Sequence, residues 1–323
     1  MFNSLTKKGI VIIGRNEGER LRACLRSVGS DGLIVYVDSG STDGSVTLAL
    51  SYGAQVVVLD NSRPFTAARA RNEGLWRLLL IQADLEFVQF VDGDCELECG
   101  WLAEGEAFLA ANEAYGAVCG RRRERFPEAS FYNRMCDDEW DTPIGDALAC
   151  GGDALYRMAA IVEAGGFDPS VIAGEEPELC YRLRSKGWKI RRLDAPMTIH
   201  DANMMHPRQW WVRSVRSGYG YAQVWRKTLA SGGPGIYGRQ LASALFWTIG
   251  VPALAIVLAI AFDPWVLLTS LGAWAIQFMR LSASFGFKKG AHLLAGKAAE
   301  SLGAFRYGLT VMRGSDQGAI FYK

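Results

Sequence analysis

The stretch KGIVIIGRNEGERLRACLRSVGSDGLIVYVDSGSTDGS, residues 8–45, runs from one apolar segment through an amphipathic one to a second apolar segment that stops on a polar loop. Ile10–Ile13 and Leu33–Val37 are short and rich in Val and Ile, and residues 18–28 between them follow helical spacing. Strand, helix and strand in that order form the repeating unit of a parallel sheet covered on both faces. The alternation continues, with strands expected at Gln55–Leu59, Phe87–Val91 and Ala117–Cys119 and helices at 44–52, 65–82 and 100–112. The expected fold class is α/β, a mainly parallel sheet with helices on both faces. Such sheets bind ligands outside the carboxyl ends of their strands. The polar clusters lie at those ends: Gly14–Glu17, Asp38–Asp43 and Asp92–Gly93–Asp94.

Downstream, residues 121–143 lose the pattern and read as a long connection. A helix follows near 156–164, then the turn Gly165–Asp168, then a helix opened by Glu175 and Glu176 and running to about Lys186. A short strand pair, Trp188–Leu193 and Met197–His200, precedes an aromatic and basic helix from Gln209 to Lys227. The organisation expected is a domain over 1–230, with halves 1–120 and 121–230, then a linker at 231–240.

The remainder differs in kind. Leu241–Phe262 carries no charge over 22 residues, close to the roughly 20 that a membrane-spanning helix needs. Asp263–Pro264 interrupts, and the apolar character resumes to Phe287 with only Arg280 breaking it. Residues 241–287 are expected to form a membrane hairpin of one or two spans, and 288–323 an amphipathic, interfacial segment. Residues 236–323 hold eight Lys or Arg against three acids, which leaves 27 against 31 for the rest. Arg239, Lys288 and Lys289 flank the hairpin on one side, so the preceding domain is expected to face the cytoplasm at the inner membrane.

Composition excludes several classes. Lys plus Arg total 35 and Asp plus Glu 34, a balance that gives nucleic acid no positive field to meet. The seven cysteines include no CxxC pair and read as reduced thiols of an intracellular domain. The opening MFNSLTKKG leads directly into a strand, so no cleaved secretory signal is expected. No GxGxxG follows the first strand and no GxxxxGK[ST] occurs, which removes the common dinucleotide and triphosphate loops.

What remains is carboxylate chemistry. Asp92 and Asp94 end an apolar strand two residues apart, where the turning backbone aims both into the crevice and Gly93 lets a ligand approach closely. Two hard oxygen donors there suit Mg²⁺ or Mn²⁺, ions that in turn hold a diphosphate. Asp38, at the tip of another strand, is placed to accept from a base N–H or a ribose hydroxyl, while Asp43 or Thr42 is expected to cap the helix that follows.

In these segments the chain resembles the family 2 glycosyltransferases of the GT-A fold, over roughly residues 9–225. VIIGRNEGERLRACLRSV is similar to the family's first strand and helix, with Gly14 and Arg15 where many members have Pro and Ala. VDSGSTDGS is similar to its nucleotide-binding loop, which implies that Asp38 contacts the base. AARARNEGL resembles its second conserved helix and implies that Arg71 lies near the nucleotide. VDGD is similar to the metal motif, with Asp94 as direct ligand and Asp92 as ribose or water-mediated partner. GEEPELCYRLRSKGWKI resembles the acceptor-side segment, in which the second acid of a Glu–Asp pair is the base; here the pair is Glu175–Glu176. His200 matches a histidine that in some members helps bind metal or diphosphate.

The resemblance implies a metal-dependent, inverting transfer of a sugar from a nucleotide-diphosphate sugar to an acceptor hydroxyl on a lipid-linked molecule or cell-envelope glycan precursor. Dipole and amide donors at the helix N-terminus are expected to lower the pKa of Glu176. Asp153, after Gly151–Gly152, either bonds a sugar hydroxyl or caps a helix. QxxRW, carried by the processive synthases, is not matched by Gln209–Arg213, so a non-processive enzyme is expected. The alternatives are a polyprenyl-phosphate sugar transferase, with Arg213, Arg216 and Arg226 supplying a basic pocket, and a non-catalytic nucleotide-sugar-binding or assembly protein.

Overall fold

The computed structural model describes residues 7–29 and 32–314, so the end of the expected amphipathic segment, 315–323, lies outside the described residues. Contacts divide the chain at Met205/His206 into two units. In the first unit the chain begins β1 (Lys8–Gly14), α1 (Glu19–Val28), β2 (Leu33–Asp38), α2 (Ser45–Ser51), β3 (Gln55–Val58), α3 (Ala67–Ile81) and β4 (Phe87–Asp92). These four strands lie in the order β3-β2-β1-β4, all parallel. Ile10, Val11, Ile12, Val35, Val37, Val88, Phe90 and Val91 are wholly buried, as expected for strands covered on both faces. Local chemistry sets the helix starts: Thr66 caps α3 by accepting from Arg69 N at 3.1 Å, and Asp43 accepts from Ser45 N and, across the loop, from Gly18 N before α1.

The second half of the sheet is mixed. It comprises β5 (Cys95–Leu97), α4 (Trp101–Ala111), β6 (Tyr115–Glu124), α5 (Phe131–Trp140), β7 (Gly145–Asp146), β8 (Leu155–Arg157), α6 (Met158–Glu163), α7 (Glu175–Ser185) and β9 (Lys189–His200). The order continues β4-β8-β6-β9-β5, and only β6 and β9 pair in parallel. Several expectations change here. The connection expected at 121–143 contains the end of β6 and all of α5, because the inward-facing Arg122 is matched by a buried acid and not by apolar neighbours. The helix expected from 156 starts at Met158, since Leu155–Arg157 are taken up as β8 between β4 and β6. The strand pair expected at 188–200 is one strand, β9, which follows β6 through register shifts near Arg121 and Arg122. All seven cysteines are free thiols.

The second unit holds α8 (Pro207–Ala230), α9 (Gly238–Leu245), α10 (Val251–Ala261), α11 (Leu267–Phe285) and α12 (Phe287–Met312). A π-turn, Phe246–Gly250, joins α9 to α10 just before Pro252, which has no amide hydrogen for a regular helical bond. Gly238–Ala261 and Pro264–Phe285 are long and apolar enough to cross a membrane; about a sixth of the apolar window of the first is buried and none of that of the second. α8 packs along α12 at backbone contact distance: a Cβ on Gly218 would fall on Glu300 O, and one on Gly303 on Val215 O. That packing places α8 in the second unit, although the change of composition comes later, near residue 236.

Gly74 performs a comparable task in the first unit. It lets α3 lie against β1 and β2 so closely that a Cβ would enter the side chains of Val11 and Val37. Overpacking of this kind costs about 1–3 kcal/mol. Gly74→Ala is therefore expected to lower the unfolding free energy by that amount, despite alanine's better helix propensity, as measured by thermal or urea unfolding.

Candidate active site

The carboxyl ends of β1, β2 and β4 deliver the three polar loops to one side of the sheet. α3 supplies the residue that joins this side to the later half of the domain. Arg71 is 2 % exposed, and its guanidinium reaches carboxylates from two directions. Nη2 donates to Asp92 Oδ1 at 3.0 Å; Nη1 lies 3.0 Å from Glu175 Oε1 and 3.1 Å from Glu176 Oε1. The face of the Phe167 ring sits 5.5 Å from its central carbon. Gly152 is bare for the same reason, since a Cβ there would fall on Arg71 Nη2. The next residue, Asn72, binds the Gly165–Phe167 turn in both directions, donating to Phe167 O at 2.7 Å and accepting from Phe167 N at 2.8 Å. Two adjacent side chains of α3 thus fix the segment that leads into α7.

A second cluster adjoins Asp92. Asp153 is wholly buried and caps no helix; its Oδ2 accepts from Arg122 Nε at 2.7 Å and from Thr198 Oγ1 at 2.8 Å. Arg122 Nη2 lies 2.6 Å from Asp153 and 3.8 Å from Asp92 Oδ2. Trp140 lies over Arg122 at 5.3 Å, and its ring is 4.8 Å from that of His200. Strand pairing of Cys95 with His200 brings His200 Nε2 to 3.3 Å from the buried Asp94 Oδ1.

These residues fit a divalent cation. Asp94, His200 and Cys95 place one donor atom each within 4.8 Å of the others, as do Asp92, Cys95 and Asp153. Asp153 Oδ1 and His200 Nδ1 are buried without hydrogen-bond partners. Cys95 is the weak member: burial, then Asp153, raises its thiol well above the usual value in the metal-free protein, and sulfur suits Mg²⁺ or Mn²⁺ less well than oxygen and imidazole. Oxygen and imidazole donors therefore define the set.

Charge in the site is unevenly held. Burial opposes ionisation of Asp92, but Arg71 and Arg122 outweigh it and keep that carboxyl below its ordinary value. Glu176 goes the other way. Burial and the adjacent Glu175 push it up to about 7, and Arg71 offsets only part of that. The lowered value expected from the α7 N-terminus is thus reversed, because desolvation and a like charge exceed the helix dipole. Asp38 occupies the expected strand tip, yet its carboxylate accepts from Gly40 N, Ser41 N and Tyr36 OH and is 1 % exposed, so here it shapes its own loop.

The structure thus brings Arg71, Asp92, Glu175 and Glu176 together, and sets Asp94 with His200 and Asp153 beside Asp92. Gly93 is the buried hinge between the two aspartates, and a Cβ there would meet Glu17 Cγ and Ile13 O. Arg122, Trp140, Thr198 and Asn72 were not anticipated. The run Arg121–Arg122–Arg123 was the available signal, since a strand alternates its faces and one of the three must point inward.

This is the fold of the GT-A glycosyltransferases. It superposes with a TM-score of 0.60 on the mannosyltransferase PcManGT from Pyrobaculum calidifontis, solved with GDP-Man and Mn²⁺, at 18% identity over 93% of this chain and 86% of that one. For residues 1–349 of TarS from S. aureus the TM-score is 0.52, at 15% identity over 95% and 92%. Residues 9–157 match Glycosyl transferase family 2, and the chain carries a glycosyltransferase domain of that family. Among curated proteins it is 25% identical over 269 residues to the succinoglycan biosynthesis protein ExoA of Rhizobium meliloti, covering 80% of this chain and 77% of the relative. It is 25% identical over 223 residues to the pre-mycofactocin glycosyltransferase of Mycobacterium tuberculosis, of which it spans 45%, matching 64% of this chain. The O-antigen chain rhamnosyltransferase WbaN of Salmonella anatum is 24% identical over 202 residues, covering 58% of this chain and 62% of the relative.

Two stability effects follow. Arg71→Met leaves buried carboxylates without their cation and is expected to cost about 3–5 kcal/mol in urea unfolding at pH 7.5. Glu176→Gln is expected to stabilise the ligand-free protein by about 1–3 kcal/mol at pH 8. The native carboxyl, raised to about 7, holds its proton above the unfolded value of 4.5, so wild-type stability falls as pH rises through that window. The gap between the two proteins should therefore open between about pH 5 and pH 7 and close below it.

Proposed function

We propose that this protein is a metal-dependent, inverting, non-processive glycosyltransferase that moves a sugar from a nucleotide-diphosphate donor to an acceptor hydroxyl. The observation that carries the reading is the single buried guanidinium of Arg71, shared by the donor-side Asp92 and the acceptor-side Glu175 and Glu176. A donor lying across the strand ends then has its anomeric carbon near the opening of α7. Asp38 and its loop border the nucleotide, and Arg71 acts from beneath by holding the acids and not by touching phosphate.

Of the two glutamates, Glu176 suits the base role. Glu175 is 7% exposed at its side chain against 17% for Glu176, and a carboxyl near 7 is poised to take a proton at neutral pH. Its Oε1 accepts the proton of the acceptor hydroxyl as that oxygen attacks the face opposite the leaving diphosphate. Such a displacement needs no protein nucleophile. Asp94, Asp92 and His200 would hold Mn²⁺ or Mg²⁺, which when bound supplies the positive charge that the departing diphosphate requires. Arg71 and Arg122, the latter held by Asp153 whose carboxylate also accepts from Thr198, keep Asp92 ionised, and the Trp140 ring lies against His200. PcManGT, of the same fold, is described in complex with GDP-Man and Mn²⁺, which supports a sugar nucleotide and a divalent ion here.

The two apolar helices of the second unit support membrane attachment, and the flanking Arg239, Lys288 and Lys289 support the inner membrane with the first unit on the cytoplasmic side. Relatives named for succinoglycan biosynthesis and for an O-antigen chain support an envelope glycan precursor, carried on lipid, as acceptor. A polyprenyl phosphate acceptor is the less favoured reading, because a phosphate oxygen would leave a near-neutral base without a task.

A panel of UDP-, GDP- and dTDP-sugars with Mn²⁺, assayed for nucleotide release in detergent with and without a lipid extract, tests the reading. Asp94→Ala should abolish metal-dependent donor binding. Glu176→Gln should retain donor binding and lose transfer by about 100-fold or more. The wild-type rate should rise with pH through about 7, as Glu176 loses its proton. Transfer at the wild-type rate by the glutamine variant would remove Glu176 from the base role.

A further inference from the structure

β3 forms one edge of the sheet, and its outer side makes no strand pairing among the described residues. Such an edge offers unpaired N–H and C=O groups to another chain, and proteins usually blunt it with charge or cover. This edge reads Gln55–Val56–Val57–Val58, with Val58 61% exposed. Beside it the outer face of α3 repeats Glu73, Trp76, Arg77 and Leu80, the spacing of a helix stripe that packs against another helix. Trp76 is 38% exposed and Leu80 79%. A groove of about 320 Å³ runs between strand and helix, lined by Val56, Val57, Glu73, Trp76, Arg77 and Leu80.

From this arrangement we infer that a second copy of the same chain docks here across a two-fold axis. β3 lies antiparallel to its mate, the two sheets become continuous, and each α3 places Trp76 and Leu80 against the other's groove.

Charge selects the occupant. Glu73 and Arg77 stand one helical turn apart on either side of Trp76, and neither makes an ion pair or hydrogen bond among the described residues. A two-fold axis perpendicular to α3 near its middle reverses the partner helix, so Glu73 of one copy faces Arg77 of the other, twice. A patch carrying both signs in mirrored positions is complementary to itself, the condition for an isologous interface. An anionic lipid surface would leave Glu73 against like charge, which disfavours it as occupant. The strand edge and the helix stripe lie on one side of the domain, so sheet extension brings the two helices together without further movement. The inner face of α3 carries Arg71 and Asn72, which gives the dimer rigid control over the helix that organises the active site.

The test is the mass of the full chain in detergent by light scattering and sedimentation, across about 0.1–50 μM protein. Wild type should be a dimer. Glu73→Arg and Arg77→Glu should each raise the dimer dissociation constant by about tenfold or more, and the exchanged pair E73R/R77E should return it to within about threefold of wild type. Unchanged thermal unfolding of the surface variants separates lost association from lost folding. A wild type that stays monomeric throughout, or an exchanged pair no better than either single variant, overturns the inference. So does a monomer in which a spin label at Leu80→Cys, in phosphatidylglycerol–phosphatidylethanolamine vesicles, is more accessible to oxygen than to a water-soluble nickel chelate, which would give the face to lipid. Failure of sugar transfer in the donor panel leaves this outcome untouched, and the reverse holds equally.

Discussion

A guanidinium taken out of water must find anions, and in this protein that requirement organises the domain. Arg71 is reached by Asp92 from the end of a central strand and by Glu175 and Glu176 from the start of a helix more than 100 residues later. Moving any of the three elements strands a buried charge, a far larger penalty than the loss of an exposed ion pair. Such a cluster is better understood as fixing one arrangement than as a source of net stability. Its charge is also incomplete: one arginine serves three carboxylates. Arg122 helps at Asp92, and Glu176 meets the remaining imbalance by keeping a proton near neutrality. The element that holds the site together therefore also sets its proton affinity.

The parts of this picture that sequence revealed share a physical cause. β1, β2 and β4 could be read because both of their faces are buried and apolar, and the edge strand β3 because its run of three valines repeats the same mark. The later strands were legible in part: Ala117–Cys119 marks the apolar start of β6 and 188–200 falls on β9. But β5, β7, β8 and the charged end of β6 carry no such mark, because β6 turns Arg122 inward and satisfies it with Asp153 and Asp92, partners distant in sequence. Asp92 and Asp94 stand out by their position at a strand end and His200 by the family resemblance, and the pairing of β5 with β9 accounts for the closeness of Asp94 and His200. Position alone misjudged electrostatics. The N-terminus of α7 suggested an acidic Glu176, while burial and Glu175 reversed the sign. Resemblance puts Arg71 near the nucleotide but supplies a neighbourhood and not its hydrogen-bond partners, which are carboxylates.

The second unit makes the same point with glycine in place of charge. Composition changes near residue 236, but packing assigns the preceding helix α8 to the unit that follows, through Gly218 and Gly303, where two backbones touch. Small residues at a crossing permit close van der Waals contact, the packing characteristic of helices that meet in or near lipid. Gly238–Phe285 is held to the same unit, α11 lying along α12 and Thr248 bonding Ser301 at 2.6 Å, while most of its apolar surface stays uncovered.

The placement of β9 has a consequence for biosynthesis. It is the last strand of the sheet to leave the ribosome, yet it lies inside the sheet, between β6 and β5. Until it arrives, the nascent chain exposes two open edges and an aspartate without its histidine. The candidate site is consequently completed only when β9 is in place and sets His200 beside Asp94.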